Sequence, residues 1–384
     1  MKPATTEFLR QRFTEYYRKE RIQAPPSVGE REFGFILFDP DSPEVRMRRH
    51  MGFGSSRELG EYIRSIVPAH AFYSSAYYTA PGAGTMGEKG WTGADLIFDL
   101  DADHLMRGPY RAMLDRVKEE TGKLLAMLTG ELGFPGREIH LVFSGGRGYH
   151  IHVREIAVRG WGSQERRELI DYVCGIGIDP GVLLTGSPGE TGGWKERYIS
   201  TISEYLLWLK GLERERGVEH LMEIPGIGRE RPPRFFDAID TYLEGIRKGD
   251  YAPLLTNQVF SAISRKEDGK FRELLRGKAA LADEPVTTDT RRLIRMPTTL
   301  HGGTGLRVTP VELGDFASFD PLQEAVVFSD RKVKVDAAMK LSMEIQGNTY
   351  QIEKGVNVVP EALGVFLCAR GVAEVAGEGG HAPR

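Results

Sequence analysis

Short apolar runs separated by glycine-rich or charged turns fill most of the first 160 residues, and helical periodicity takes over beyond about residue 200. Phe8, Leu9, Phe13, Tyr16 and Tyr17 share one helical face, with Thr5 or Thr6 as the expected cap and Pro25-Pro26 as the stop. Phe33 to Phe38 reads as a strand, Asp39 to Pro43 as a turn, and Val45 to His50 as a second strand with Arg46 and Arg48 on one side. Ser55 or Ser56 should cap a helix through Leu59, Ile63, Ile66 and Val67. The aromatic cluster Phe72, Tyr73, Tyr77 and Tyr78 is best read as core. Leu96-Ile97-Phe98 opens a strand that runs into Asp99 and Asp101, and Tyr110 to Leu132 forms a long amphipathic helix. Ile139 to Phe143 is a strand, followed by a glycine-rich loop and a second strand through His150 to Val153. The pattern from 204 to 281 is helical, strand-like sequence returns at Pro285 to Asp289, residues 347–376 resume a loop and helix, and Gly377 to Gly380 opens a frayed tail.

Composition narrows the class without choosing a function. The chain has 384 residues, 40% of them hydrophobic and 27% charged, which fits an ordinary globular protein with a large core. A net charge of −3 gives no overall attraction to nucleic acid, so any such binding must come from local basic patches. Cys174 and Cys368 cannot build a disulfide framework or a local zinc knuckle, the start of the chain lacks a signal peptide's apolar core, and no apolar run approaches membrane-spanning length. A cytoplasmic location is expected. Gly82 to Gly87 has dinucleotide-binding spacing, but Glu88 to Gly93 after it is no helix start, so that reading is set aside.

Chemistry gathers at three places. On a strand, Asp99 and Asp101 point to one face about 7 Å apart, a spacing that can bracket divalent cations. In Ser144-Gly145-Gly146-Arg147-Gly148-Tyr149-His150, glycines let backbone amides approach phosphate oxygens and Arg147 supplies a planar fork. His150 and His152 then share a strand face, His150 being the stronger candidate. Asp283, Arg291 to Pro297 and His301 to Gly305 make the third cluster. Carboxylates for two metals and cationic donors for a triphosphate are what nucleotidyl transfer needs.

With these motifs the sequence resembles the catalytic small subunit of archaeal and eukaryotic DNA primase. The matching stretches are Phe72 to Tyr78, Lys89 to His104, Ser144 to His152, Asp283 to Gly305 and, more weakly, Ala369 to Ala373. The resemblance implies an α/β (α+β) fold with a mixed-sheet catalytic domain, here 1–203 and 282–384, and the helical pattern at 204–281 reads as an insertion in it. It implies Asp99, Asp101 and Asp283 as catalytic metal carboxylates for two Mg²⁺ or Mn²⁺ ions, and Ser144, Arg147, His150, Arg295 and His301 as nucleotide contacts. It also implies a large-subunit partner, a single-stranded DNA template, nucleoside triphosphates, and synthesis of short RNA or DNA primers for replication. Gly146 stands where eukaryotic members carry a second basic residue, and residues 105–143 lack the cysteines of the zinc knuckle common among relatives, so no zinc of that kind is expected.

Three other readings compete. The Asp-x-Asp after an apolar strand is also similar to a haloacid-dehalogenase-type phosphatase, whose last acidic motif Gly314 to Asp320 imitates. That class wants Thr or Val where this chain has Asp103, and it leaves the Gly-Arg-His loop and the Arg295–His301 segment without work. An inert nucleic-acid-binding subunit does not need all three carboxylates. A related repair polymerase that extends existing ends differs in needing a 3′-end.

Overall fold

The computed structural model describes residues 1–38, 46–185 and 192–376. The turn expected at 39–43, Val45 of the strand after it, the glycines of 377–380 and the side chains of His104 and Lys266 lie outside the described residues. Two compact units emerge, one made of 1–122, 134–168 and 282–384, the other of 123–133 and 169–281.

The first unit is built on two four-stranded antiparallel sheets. Helix α1 (Pro3–Lys19) leads into strand β1 (Phe33–Leu37), β2 (Met47–Met51), helix α2 (Ser56–Ile66) and β3 (Pro68–Ser74). The second sheet uses β4 (Leu96–Asp101), β5 (Ile139–Phe143) and β6 (Gly148–Val153), with helix α3 (Tyr110–Ala126) between β4 and β5. Strands β7 (Leu293–Arg295) and β8 (Thr309–Val311) complete the two sheets, whose orders are β2-β1-β3-β7 and β8-β5-β6-β4. Every strand pairing among the described residues is antiparallel, which excludes a doubly wound dinucleotide-binding sheet and gives an α+β fold. A smaller sheet at residues 332–337, 355–360 and 373–375 and a hairpin at 341–352 lie beyond them in the chain.

Local chemistry explains where elements begin. Ser55 caps α2 by accepting the Glu58 amide at 3.2 Å. Thr5 and Thr6 do not cap α1. Pro3, which has no amide to lose, starts that helix two residues earlier, and Thr5 is buried, its hydroxyl accepting the Val375 amide at 2.9 Å. The stretch 285–289 is not a strand but a short helix, Glu284–Thr288. Pro285 suits its first turn, and burial of Val286 and Thr287 outweighs their β-branched preference. Tyr73, Tyr77 and Tyr78 are buried, as core residues should be.

The second unit is helical among its described residues. In the helix Gly193–Lys210, Trp194, Tyr198, Ile202, Tyr205, Leu206 and Leu209 fall on one buried face, packed with Phe271 and Leu275 of the helix Gly269–Lys278. This face begins before residue 204, so the helical unit takes in more chain than periodicity marks out from 204 to 281.

Candidate active site

The first unit gathers the singled-out residues where the ends of its strands meet. β4 pairs with β6 so that Asp99 lies opposite His150 and Asp101 opposite Gly148. Leu96, Phe98 and Leu100 are buried on one face, while Asp99 and Asp101 are only partly so and share the other face with the buried Ile97. Position 148 must be glycine, because a Cβ there would run into the Leu100 carbonyl oxygen and come within 3.1 Å of the Asp101 Cα. Both obstacles are backbone. Gly148→Ala is therefore expected to cost about 3 kcal/mol or more in denaturant unfolding. A loss below about 1 kcal/mol would mean that the two strands are not held at this spacing.

β4 is an edge strand, and its free edge receives the third acid. The Asp283 amide donates to the Asp99 carbonyl at 2.8 Å, and Asp283 opens the helix Glu284–Thr288. Two acids adjacent on a strand and one 182 residues after Asp101 are thus brought side by side. Burial, then the charges of Asp101 and Asp283, push the Asp99 carboxyl up to about 7, with Arg292 and Arg295 pulling partly the other way. Among the described residues no three ligating side chains are drawn together as tightly as a formed metal cage. The charges of Asp101 and Asp283 nevertheless both act on Asp99. An all-oxygen anionic donor set of this kind fits a hard divalent cation.

Cationic and imidazole groups face this acidic cluster. The Arg295 guanidinium is 2.7 Å from Nδ1 of His70 on the neighbouring strand β3 and lies over the Phe72 ring. Burial lowers its pKa to about 10, still leaving it charged at neutral pH, and Asp99 and Asp101 oppose that fall. His70 Nδ1 also accepts the Gly302 amide at 3.3 Å, so its remaining proton sits on Nε2, and burial followed by Arg295 lowers its pKa to about 3. The His70 and His301 rings meet edge to face at 4.9 Å, and His301 Nδ1 accepts the Gly303 amide at 3.1 Å.

His150 Nε2 stands 3.6 Å from Asp99 Oδ1, too far for a hydrogen bond. Burial, then Arg295 and Arg292, bring its pKa to about 3, so the ring is neutral and this contact is no ion pair. Its Nδ1 is buried without a hydrogen-bond partner. His152, in contrast, stacks on Tyr73 at 6.0 Å with its Nδ1 near the phenol, and belongs to the packing.

The glycine-rich loop closes the other side. Ser144 Oγ accepts the Gly146 amide at 3.3 Å, and Gly145 adopts φ +74° where a Cβ would strike His301. Thr304 donates its hydroxyl to the Gly145 carbonyl, which fixes the His301 segment against the loop. Arg147 pairs with Asp103, whose amide in turn donates to Asp101 at 2.9 Å. Tyr110 donates to the Gly146 carbonyl. His70, Asp103 and Tyr110 escape sequence reasoning. His70 is one polar residue in an apolar strand, and nothing local marks it. Asp103 carries a signal only as the acid next after the Asp-x-Asp pair.

A family model described as DNA primase small subunit matches residues 98–313. A protein of Methanoregula boonei named DNA primase small subunit PriS is 58% identical over 98% of this chain and all of its own length. Those of the same name from Methanospirillum hungatei and Halorubrum lacusprofundi are 49% and 39% identical, covering 100% and 98% of this chain and the whole of each relative. The chain belongs to the DNA primase small-subunit family. Membership places it among the polymerase-type enzymes that make primers for DNA replication. The primase match spans Asp99, Asp101, Ser144, Arg147, His150, Asp283, Arg295 and His301. The phosphatase-like Asp320 is taken up elsewhere, held by Arg111 through two bonds of 2.9 Å. No helix among the described residues is long and apolar enough to cross a membrane.

Proposed function

We propose that this chain is the nucleotidyltransferase subunit of a primase, joining nucleoside triphosphates on a single-stranded DNA template and working with a large subunit. The observation that carries the reading is the amide of Asp283 bound to the carbonyl of Asp99, which brings three carboxylates to one place facing Arg292 and Arg295. Asp99, Asp101 and Asp283 would hold two magnesium or manganese ions. When bound, such ions supply activation of the attacking 3′-hydroxyl and neutralisation of the triphosphate charge.

The protein groups do the rest. Arg295 stays cationic and is aimed by His70, so it binds the triphosphate as an oriented donor. His150 and His301, both with pKa values pushed down by burial, act as neutral hydrogen-bonding groups toward the phosphates and not as counter-charges. Ser144 keeps a hydroxyl proton to donate, since its oxygen is the acceptor of the Gly146 amide. Arg147 exchanges Asp103 for a phosphate when nucleotide arrives.

The test is synthesis from nucleoside triphosphates on a template with no 3′-end supplied. The wild-type chain is expected to make dinucleotides, and Asp101→Asn to reduce that by about 10³-fold, in keeping with several kcal/mol of transition-state stabilisation. Extension of supplied ends without de novo products would favour a repair polymerase, and unchanged synthesis by the variant would remove Asp101 from the site.

A further inference from the structure

Away from the acidic site, α1 and α2 border a cavity of about 690 Å³ whose charged lining is Arg18, Lys19, Arg21, Arg57 and Arg64 with one acid, Glu20. In a chain of net charge −3, five cations around one hollow form a strong local excess. Arg18, Lys19 and Arg64 stand in the last turns of their helices, where they also offset the helix dipoles. Arg57 does not fit that account. It occupies the first turn of α2, where a cation opposes the dipole, and its only ion pair among the described residues is an exposed 3.5 Å contact with Glu61. Arg21 directly follows the C-cap residue of α1, Glu20.

One lining residue, Gln23, and Tyr16 of the bordering helix are bonded to the segment between Arg295 and His301. The Gln23 amide donates to the Thr298 hydroxyl at 2.7 Å, and the Tyr16 hydroxyl donates to the Thr298 carbonyl at 2.8 Å. Thr298 is held at φ +61°, a strained backbone for a β-branched residue, midway between Arg295 and His301. The chain that borders the hollow is thus bonded directly to the segment that carries Arg295 and His301.

We infer that this hollow binds the sugar–phosphate backbone of the single-stranded DNA template. The inference rests on the primase reading and adds a subsite to it. No aromatic side chain lines the cavity, so bases have nothing to stack on and the contacts are ionic and sequence-independent. That suits a strand that must be copied whatever its sequence.

The test uses the full chain and a labelled oligothymidine, with binding followed by anisotropy across a salt series. Arg57→Glu with Arg64→Glu is expected to weaken binding about tenfold or more at low salt. Arg57→Gln with Arg64→Gln should lower the salt slope by about 1.4, two contacts at about 0.7 each. Melting temperature and nucleoside triphosphate affinity should stay at the wild-type value in the Gln pair, which separates a lost contact from a damaged fold. Wild-type affinity and slope in both variants would overturn the inference. So would unchanged DNA binding with weakened association of an acidic protein partner. If the wild type binds DNA through these arginines yet makes no primers, the activity reading fails and this subsite stands.

Discussion

Asp99→Asn is expected to raise the melting temperature of the chelator-treated protein near pH 8 while removing primer synthesis. The two effects have one cause. The Asp99 carboxyl is pushed from 3.8 to about 7 by burial and by the charges of Asp101 and Asp283. In the unfolded chain it is ionised above about pH 4, whereas in the folded, ion-free chain it holds its proton to about pH 7. Stability of the ion-free protein therefore falls as pH rises through this window, and above pH 7 the full penalty applies, roughly 4 kcal/mol at most. Asn keeps the shape and drops the charge, so the variant should melt several degrees higher at pH 8 and match the wild type below about pH 4. Primer synthesis should fall by about 10³-fold or more. A carboxylate held only for packing behaves differently, since its replacement would lower or leave unchanged the melting temperature at pH 8.

That trade between stability and activity shows what the sequence could disclose about this site. Period-two alternation places Asp99 and Asp101 on one face because Leu96, Phe98 and Leu100 must be buried on the other, and β4 obeys it. The glycine-rich loop was equally legible, since Gly145 at φ +74° and the crowded Gly148 are positions only glycine fills without strain. The docking of Asp283 on the free edge of β4 was not legible. It depends on a single amide–carbonyl bond between residues 184 apart, and the local pattern at 285–289 suggested a strand. Only the family likeness put Asp283 with the other two. The pairing of His70 with Arg295 was hidden for a similar reason, because it arises from the β3–β7 register, which alternation along either strand does not encode. Helix starts divide in the same way: of Ser55 and Ser56, which the sequence offers alike, Ser55 is the cap, whereas Thr5 serves a contact with Val375 that no local rule anticipates.

The largest effect on stability is expected at Arg31, which touches none of the reacting groups. Its guanidinium is fully buried, donating to the carbonyls of Ser74 and Ser75 at 2.9 and 2.7 Å and to Asp95 at 2.8 Å, with the Tyr77 ring 3.7 Å away. Asp95 immediately precedes β4, and Ser74 ends β3, so this one cation joins the two sheets. The Ser75 amide donates to the Arg292 carbonyl at 2.8 Å, which extends the link to the basic side of the site. Arg31→Met should cost about 3–5 kcal/mol in urea unfolding, because it leaves the Asp95 charge buried with its main partner gone. Adding Asp95→Leu should restore part of that loss, since the double variant buries no unmatched charge, and the pair should couple by about 1 kcal/mol or more. Where Arg31→Met remains folded, slippage of β3 against β4 displaces Arg292 and Arg295 relative to Asp99. A misplacement near 1 Å costs about 10²-fold in kcat/KM, so activity should drop before the protein melts. Strict additivity of the two substitutions, or full activity in folded Arg31→Met, would show that the sheets hold their spacing without this arginine.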